Sequence, residues 1–249
     1  MEPDAAHAGR TVLHSPGVIV GDRLGVEAMR IAVLGGTGDE GLGLAMRFAD
    51  AGHEIVIGSR SRERAEAAAE QVRAAATGAK ASSAENAAAA LTADIVFVSV
   101  PYAAQRPTLE PLKATLAGKV VVTVVVPLSF GKGGPQAETV PEGSAALEAQ
   151  AILCSSRVAS AFHNLSAHEL QRLDQPVDCD VIVCGVDRET RQTVIDLAAS
   201  IPGVRGIDGG PLSYSRYVED LTALLLALNR RYKTETGIRI TGLPVPIPA

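Results

Sequence analysis

The sequence predicts an α/β chain built on a doubly wound, mainly parallel sheet, with a smaller C-terminal α/β extension, and three observations carry that prediction. From Arg30 onward, short apolar runs alternate with longer helical ones, the order that lays helices over a parallel sheet. Two of the runs, "DIVFVSV" (94–100) and "KVVVTVV" (119–125), are near-continuous and β-branched, as strands covered on both faces must be. Between the first strand and the first helix lies "GGTGDEGLG" (35–43), in which five of nine residues are glycine.

The elements follow in order. Ile31–Leu34 reads as a strand, Glu40–Ala51 as a helix stopped by Gly52, and His53–Gly58 as a second strand. The Ala-, Glu- and Arg-rich run Ser61–Ala76 is helical by propensity. A short strand near Ala79–Ser82, a helix over Ala84–Leu91 and the two β-branched strands come next. "SFGKGGPQAETVPEGS" (129–144) reads as a mobile Gly/Pro loop. Beyond it stand a helix (Ala145–Leu153) and strands at Arg157–Ala161 and Asp180–Cys184. A helix (Arg188–Ser200), a short strand (Val204–Ile207) and a long helix (Leu212–Tyr232) complete the pattern. Prolines 244, 246 and 248 forbid helix in the tail and favour an extended chain.

Residues 1–28 lack helical periodicity and the basic-then-apolar pattern of a signal peptide, so a flexible N-terminal extension is expected there. A soft boundary near 165 separates a nucleotide-binding part (29–165) from a smaller C-terminal part (166–249), expected to contribute to a cleft and to dimerisation. A net charge of −5, aromatics at 3% and no Trp argue against nucleic-acid binding. No apolar run has transmembrane length, so no membrane partner is expected. Cys154, Cys179 and Cys184 show no metal spacing and suit a reducing, cytoplasmic setting.

Within the glycine-rich run, Gly36, Gly38 and Gly41 satisfy G-x-G-x-x-G between a strand and a helix, the Rossmann-type arrangement. Glycine there permits a tight turn, close approach of a pyrophosphate, and close packing of helix on strand, while the helix N–H groups face the anion. Asp39 is expected as a helix N-cap and Glu40 to point into solvent. The second strand then selects the dinucleotide. It ends "IGSR", without the acid that would bond a ribose 2′-hydroxyl. Ser59 and Arg60 stand instead where a 2′-phosphate would lie, with Arg62 and Arg64 following, so NADP is expected over NAD. Arg62 reads equally as a solvated helix face. Pro101 and Tyr102 ("SVPYAAQ") and the "VVPLSFG" run lie at carboxyl ends of strands, where ligands bind in such sheets.

Together, residues 29–66, "DIVFVSVPY" (94–102), "VVVPLSFGKG" (124–133), "RVASAFHNLSA" (157–167) and "IDGGPLSYSRYVEDLTALLLALN" (207–229) resemble the F420H2:NADP oxidoreductases, the NADPH-dependent F420 reductases. The GPLS-x-SR-x-VE block is more specific than the glycine loop, and the resemblance runs from Met29 to about Ile240. It implies hydride transfer between C4 of the nicotinamide of NADP(H) and C5 of coenzyme F420, without a covalent intermediate. It also implies Thr37, Gly38, Asp39 and Glu40 around the pyrophosphate, and Ser59, Arg60 and Arg64 at the 2′-phosphate. Tyr102 and Arg106 then lie near the cofactor, Leu128 and His163 on the nicotinamide side, and Thr236–Gly237 against F420. Asp39 and Glu40 stand where the family loop usually carries uncharged residues.

His163 follows an apolar strand at the sheet edge and is expected to hydrogen-bond cofactor or substrate; no residue is assigned as a catalytic acid or base. Reduction of an imine or of ferric iron on the same fold, or non-catalytic NADP binding, are the alternatives. Arg216, Arg230, Arg231, Lys233 and Arg239 are candidates for the anionic tail of F420. Leu221, Leu224, Leu225, Leu226 and Leu228 cover more than one helix face, which predicts a homodimer.

Overall fold

The computed structural model describes residues 27–243. The N-terminal extension lies outside the described residues except for 27 and 28, as do residues 244–249 of the tail. The first half runs β1 (Arg30–Leu34), α1 (Asp39–Asp50), β2 (Glu54–Gly58), α2 (Arg62–Ala75), β3 (Ala81–Ala84) and α3 (Asn86–Thr92). It continues through β4 (Ile95–Val98), α4 (Tyr102–Leu109), α5 (Lys113–Leu116) and β5 (Val120–Thr123). A hairpin, β6 (Leu128–Gly131) and β7 (Gly134–Ala137), precedes α6 (Ala145–Ile152), β8 (Arg157–Ser160) and α7 (Ala167–Leu170). The chain ends with β9 (Cys179–Gly185), α8 (Arg188–Ala199), β10 (Val204–Pro211) and α9 (Ser215–Tyr232).

Eight strands form one sheet in the order β10-β9-β8-β5-β4-β1-β2-β3, parallel except where β9 meets β8. Alternation along each strand feeds two cores. In β1, Ile31 and Val33 pack with α1 and α2 on one face, while Ala32 and Leu34 join the α3 and α6 side. The strand order reverses between β1 and β4, and their carboxyl ends open the crevice that such sheets use for ligands. The sheet runs unbroken past residue 165, because β9 and β10 extend it beyond β8.

Several local expectations are corrected. The Gly/Pro run after Pro127 is not a loop throughout: Leu128–Gly131 pairs antiparallel with Gly134–Ala137 around Lys132–Gly133, and Gly134 takes φ +103°. Glycine density that looked like mobility supplies a two-residue hairpin turn instead. Tyr102–Leu109 is a helix despite Pro107 within it, and β10 runs four residues past Ile207. Its register shifts between Asp208 and Gly210, and a Cβ on Gly209 would fall 2.6 Å from Ile182 Cγ2. The "DGG" of the long C-terminal block is therefore a bulge.

The rest of that block docks α9. Ser160 Oγ donates to Ser215 Oγ at 2.6 Å, and Glu219 accepts from the N–H groups of Ala145 and Ala146 at the start of α6. Farther along the same helix, Thr222 Oγ1 donates to the carbonyl of His163 at 3.0 Å.

Arg47 on α1 is fully buried and donates to four backbone carbonyls, those of Leu170, Gln175, Glu169 and Arg172, at 2.6–3.0 Å. These cap the end of α7 and the turn after it; the Glu169 and Arg172 carbonyls also accept backbone N–H groups of that turn, whereas those of Leu170 and Gln175 take their hydrogen bond from Arg47. Beside this clamp, a Cβ on Gly43 would approach Leu170 Cβ to 2.6 Å, so glycine permits the close helix contact. Arg47→Ala removes the side-chain donor that the Leu170 and Gln175 carbonyls rely on and is expected to cost about 3 kcal/mol in urea unfolding. Arg47→Lys, lacking the planar fork, is expected to recover less than half of that loss.

Candidate active site

At the carboxyl end of β1 the chain turns on Gly35, which takes φ +82° and donates to the carbonyl of Gly58 at 3.0 Å. A Cβ there would lie 2.2 Å from the carbonyl oxygen of Ser99, so the loop is pressed against the end of β4. Gly35 lies outside the G-x-G-x-x-G register, yet it is the glycine that makes the turn. Gly36 abuts Val33, and a Cβ on Gly41 would sit 3.0 Å from Gly36 Cα and from Ser99 Oγ. Gly38, by contrast, has only the Gly35 carbonyl within reach, at 3.7 Å. It is the N-cap of α1 and supplies no side-chain cap, which leaves first-turn N–H groups facing outward.

Two clefts meet over this loop, sharing Gly38, Ser99, Val100 and Pro101. The one toward β2, of 610 Å³, is lined by Thr37, Ser59, Arg60, Ser61 and Arg64, among others. Arg60 and Arg64 are exposed, and neither has an ion-pair partner among the described residues. Their position is set locally: Ser61 caps α2 by accepting from Arg64 N, and its own N–H donates to Ser59 Oγ. Arg62 points elsewhere and lines neither cleft. Asn86, at the start of α3, also lines this cleft, and its Oδ1 is buried without a partner.

The second cleft, of 580 Å³, lies between the ends of β4 and β5 and the segments around His163 and Thr236. His163 is 5% exposed, and neither ring nitrogen has a hydrogen-bond partner. Burial pushes its pKa down to about 4, so it is neutral at physiological pH and offers one donor and one acceptor. Its placement depends on Phe162, which takes φ +70°. A left-handed turn at an aromatic residue costs about 1–3 kcal/mol. The ring offsets this by burial against Phe48 and Phe97, with centroids at 5.8 and 5.6 Å.

The two loop acids depart from expectation. Asp39 is the first helical residue, not the N-cap, because Gly38 already holds that place. Glu40 is only partly exposed: it lines the second cleft, with Oε1 sealed and unpartnered, and burial pushes its pKa up to about 8. Thr236 lines the same cleft and donates through its N–H and Oγ1 to Asn229 Oδ1.

The remaining candidates lie outside both clefts. Arg106 is held by Glu110, Glu142 and Glu148, a cluster that ties α4 to α6. Tyr102 opens α4 and Leu128 opens β6, each partly buried. Gly237 packs where a Cβ would meet Cys179 Sγ at 2.9 Å. Of the late cations, Arg239 pairs with Asp178 and Asp180, and Arg216 lies 3.5 Å from Asp220. Arg230 and Lys233 line a third depression with Arg172, which shares His168, Asn229 and Glu235 with the second cleft.

Gly35→Ala and Gly38→Ala are expected to separate folding from binding. The first collides with backbone in a left-handed conformation and is expected to destabilise by about 2 kcal/mol. Gly38→Ala has room in the free protein, so its melting temperature is expected to stay close to wild type while dinucleotide affinity, read by fluorescence titration, falls.

Residues 30–127 match the family described as NADP oxidoreductase, coenzyme F420-dependent. The chain is 46% identical over 224 residues to the F420-dependent NADP reductase of Methanocaldococcus jannaschii, covering 87% of this chain and 100% of that one. It is 43% identical over 226 residues to the F420-dependent NADP reductase of Methanothermobacter thermautotrophicus, covering 88% and 97%. A crystal structure from Arthrobacter sp. FB24, assigned provisionally as an F420-dependent NADP reductase, superposes with a TM-score of 0.72 at 27% identity, covering 86% of this chain and 100% of that one. Identity at this level, carried along 87% of the sequence, leaves one conclusion: the chain belongs to the F420-dependent NADP reductase family.

Proposed function

We propose that this chain transfers a hydride between C4 of the NADPH nicotinamide and C5 of coenzyme F420. NADP(H) lies across the glycine loop, with its 2′-phosphate by Ser59, Arg60 and Arg64 and its nicotinamide in the cleft that His163 lines. The observation that carries this reading is the junction of the two clefts at Gly38 and Pro101. One end is lined by exposed cations, and the other holds a buried, neutral histidine. A dinucleotide has the matching polarity, charged at the phosphates and nearly neutral at the ring to be held. Hydride passage between two bound rings needs alignment and proximity rather than a side-chain acid or base. His163 accordingly serves as a hydrogen-bonding group that orients a ring edge.

F420 enters the second cleft from the Thr236 side. Its anionic tail then runs toward the depression lined by Arg172, Arg230 and Lys233. Free Cys154, Cys179 and Cys184 support a reducing, cytoplasmic setting. Among the described residues, no helix is long and apolar enough to cross a membrane.

A homodimer through α9 completes the reading. Tyr217, Leu221, Leu224 and Leu228 follow helical spacing along one face, and Tyr217 and Leu224 are 69% and 56% exposed. Phe130 on the neighbouring hairpin is 75% exposed, which widens the apolar surface.

Mixing the protein with NADPH and F420 is expected to bleach the deazaflavin's visible band, with NADH far less effective; no bleaching overturns the assignment. Arg60→Ala is expected to lower kcat/KM for NADPH by about tenfold or more and to leave NADH nearly unchanged. For the assembly, gel filtration is expected to give twice the chain mass. Tyr217→Asp with Leu224→Asp is expected to give the single-chain mass.

A further inference from the structure

Glu40 occupies the second position of α1, inside its first turn, and lines the second cleft, where the residue is partly exposed. Its Oε1 is sealed from solvent and has no hydrogen-bond partner. The helix end favours negative charge, but an arriving diphosphate claims the same N–H groups. Two anions on one helix end repel, and a carboxylate with one oxygen sealed and unpaired has lost part of its hydration. A protonated carboxyl removes both penalties and adds an O–H donor for a ligand oxygen. His163, in the same cleft, is a buried side chain whose two ring nitrogens are both unpartnered. Two such groups in one wall describe a site completed by a ligand that carries hydrogen-bonding atoms.

We propose that Glu40 binds ligand as the neutral acid, donating a hydrogen bond into the cleft, so that NADP(H) binding takes up a proton at this carboxyl. The inference rests on the reading that this cleft holds NADP(H). In balance, ionised Glu40, one proton from the buffer and the dinucleotide give the complex of dinucleotide with protonated Glu40; no bond to the ligand is made or broken.

The other ionisable groups that line the cleft do not account for such uptake above neutral pH. Asp39 adjoins on α1 and is exposed. His163, reached from β8, has its pKa pushed down to about 4 and stays neutral. His168 on α7 and Glu235 beyond α9 face each other at 3.5 Å on the opposite wall. The ends of β4 and β5 contribute only uncharged residues. Burial, meanwhile, sets the Glu40 pKa at about 8, which places its titration within reach of experiment.

The test is calorimetric titration of NADPH into the full chain at about pH 7 and about pH 9, each in two buffers of different ionisation enthalpy. Wild type is expected to take up nearly one proton at the higher pH and almost none at the lower. Its affinity is expected to fall about tenfold between them. Glu40→Gln keeps the side-chain volume and a donor, so it is expected to take up no proton, to bind equally at both values, and to exceed wild type at pH 9. Glu40→Ala lacks the donor and is expected to bind more weakly than Glu40→Gln at pH 7. Absence of proton uptake in wild type, uptake that persists in Glu40→Gln, or equal binding by the Ala and Gln variants at pH 7 would each overturn the proposal. If wild type binds no NADPH at either pH, the reading of the cleft itself fails and the inference falls with it.

Discussion

A buried guanidinium on α1 reaches across to the carbonyl end of α7, and the half of the candidate site that His163 lines depends on that contact. Arg47 supplies N–H donors in a fixed fork, and the end of α7 and the turn after it supply four carbonyls, two of which, Leu170 and Gln175, take their hydrogen bond from this fork. Each side would be costly to bury alone; together they neutralise one another's need for water. The consequence is geometric. α1 begins at the glycine loop and α7 begins just after His163, so the clamp fixes the two walls of the cleft relative to each other.

The opposite wall is held by a second set of polar contacts. Ser215, Glu219 and Thr222 bind α9 to β8, α6 and the His163 carbonyl in turn. Asp180, buried at the start of β9, anchors the chain after α9. Burial opposes its ionisation, but hydrogen bonds from Arg205, the Ile240 N–H and Arg239 outweigh that and hold its pKa down to about 2. Residues 238–240 are thereby laid along β9, and Thr236 is brought to the cleft. Much of the C-terminal motif thus serves docking, and Arg239 belongs to that docking rather than to ligand binding.

The same burial that builds these walls tunes the groups exposed between them. In the cleft that His163 lines, loss of water drives His163 and Glu40 toward their uncharged forms from opposite directions. In the cleft toward β2, Arg60 and Arg64 stand exposed to solvent. Neutral polar groups at one end and free cations at the other suit a ligand whose charge is concentrated in its phosphates.

The alternation of strands and helices, the two-faced β-branched runs and the glycine loop were legible directly, because each follows from short-range pattern. The grouping of Ser59, Arg60 and Arg64 along one cleft was legible for the same reason: all three lie within six residues after one strand. Gly35 was hidden, since its necessity comes from Ser99, a residue 64 positions later whose carbonyl it must clear. Glu40 and Arg106 were misplaced from sequence because burial and partner choice, not residue type, decide where a charged side chain points. The amino-acid sequence by itself determined the layered α/β fold and the class of dinucleotide it suits, since periodicity and local charge specify both. Only the tertiary structure decided which acids and histidines lost their water and therefore their charge, because desolvation belongs to the packed interior and not to any one segment of chain.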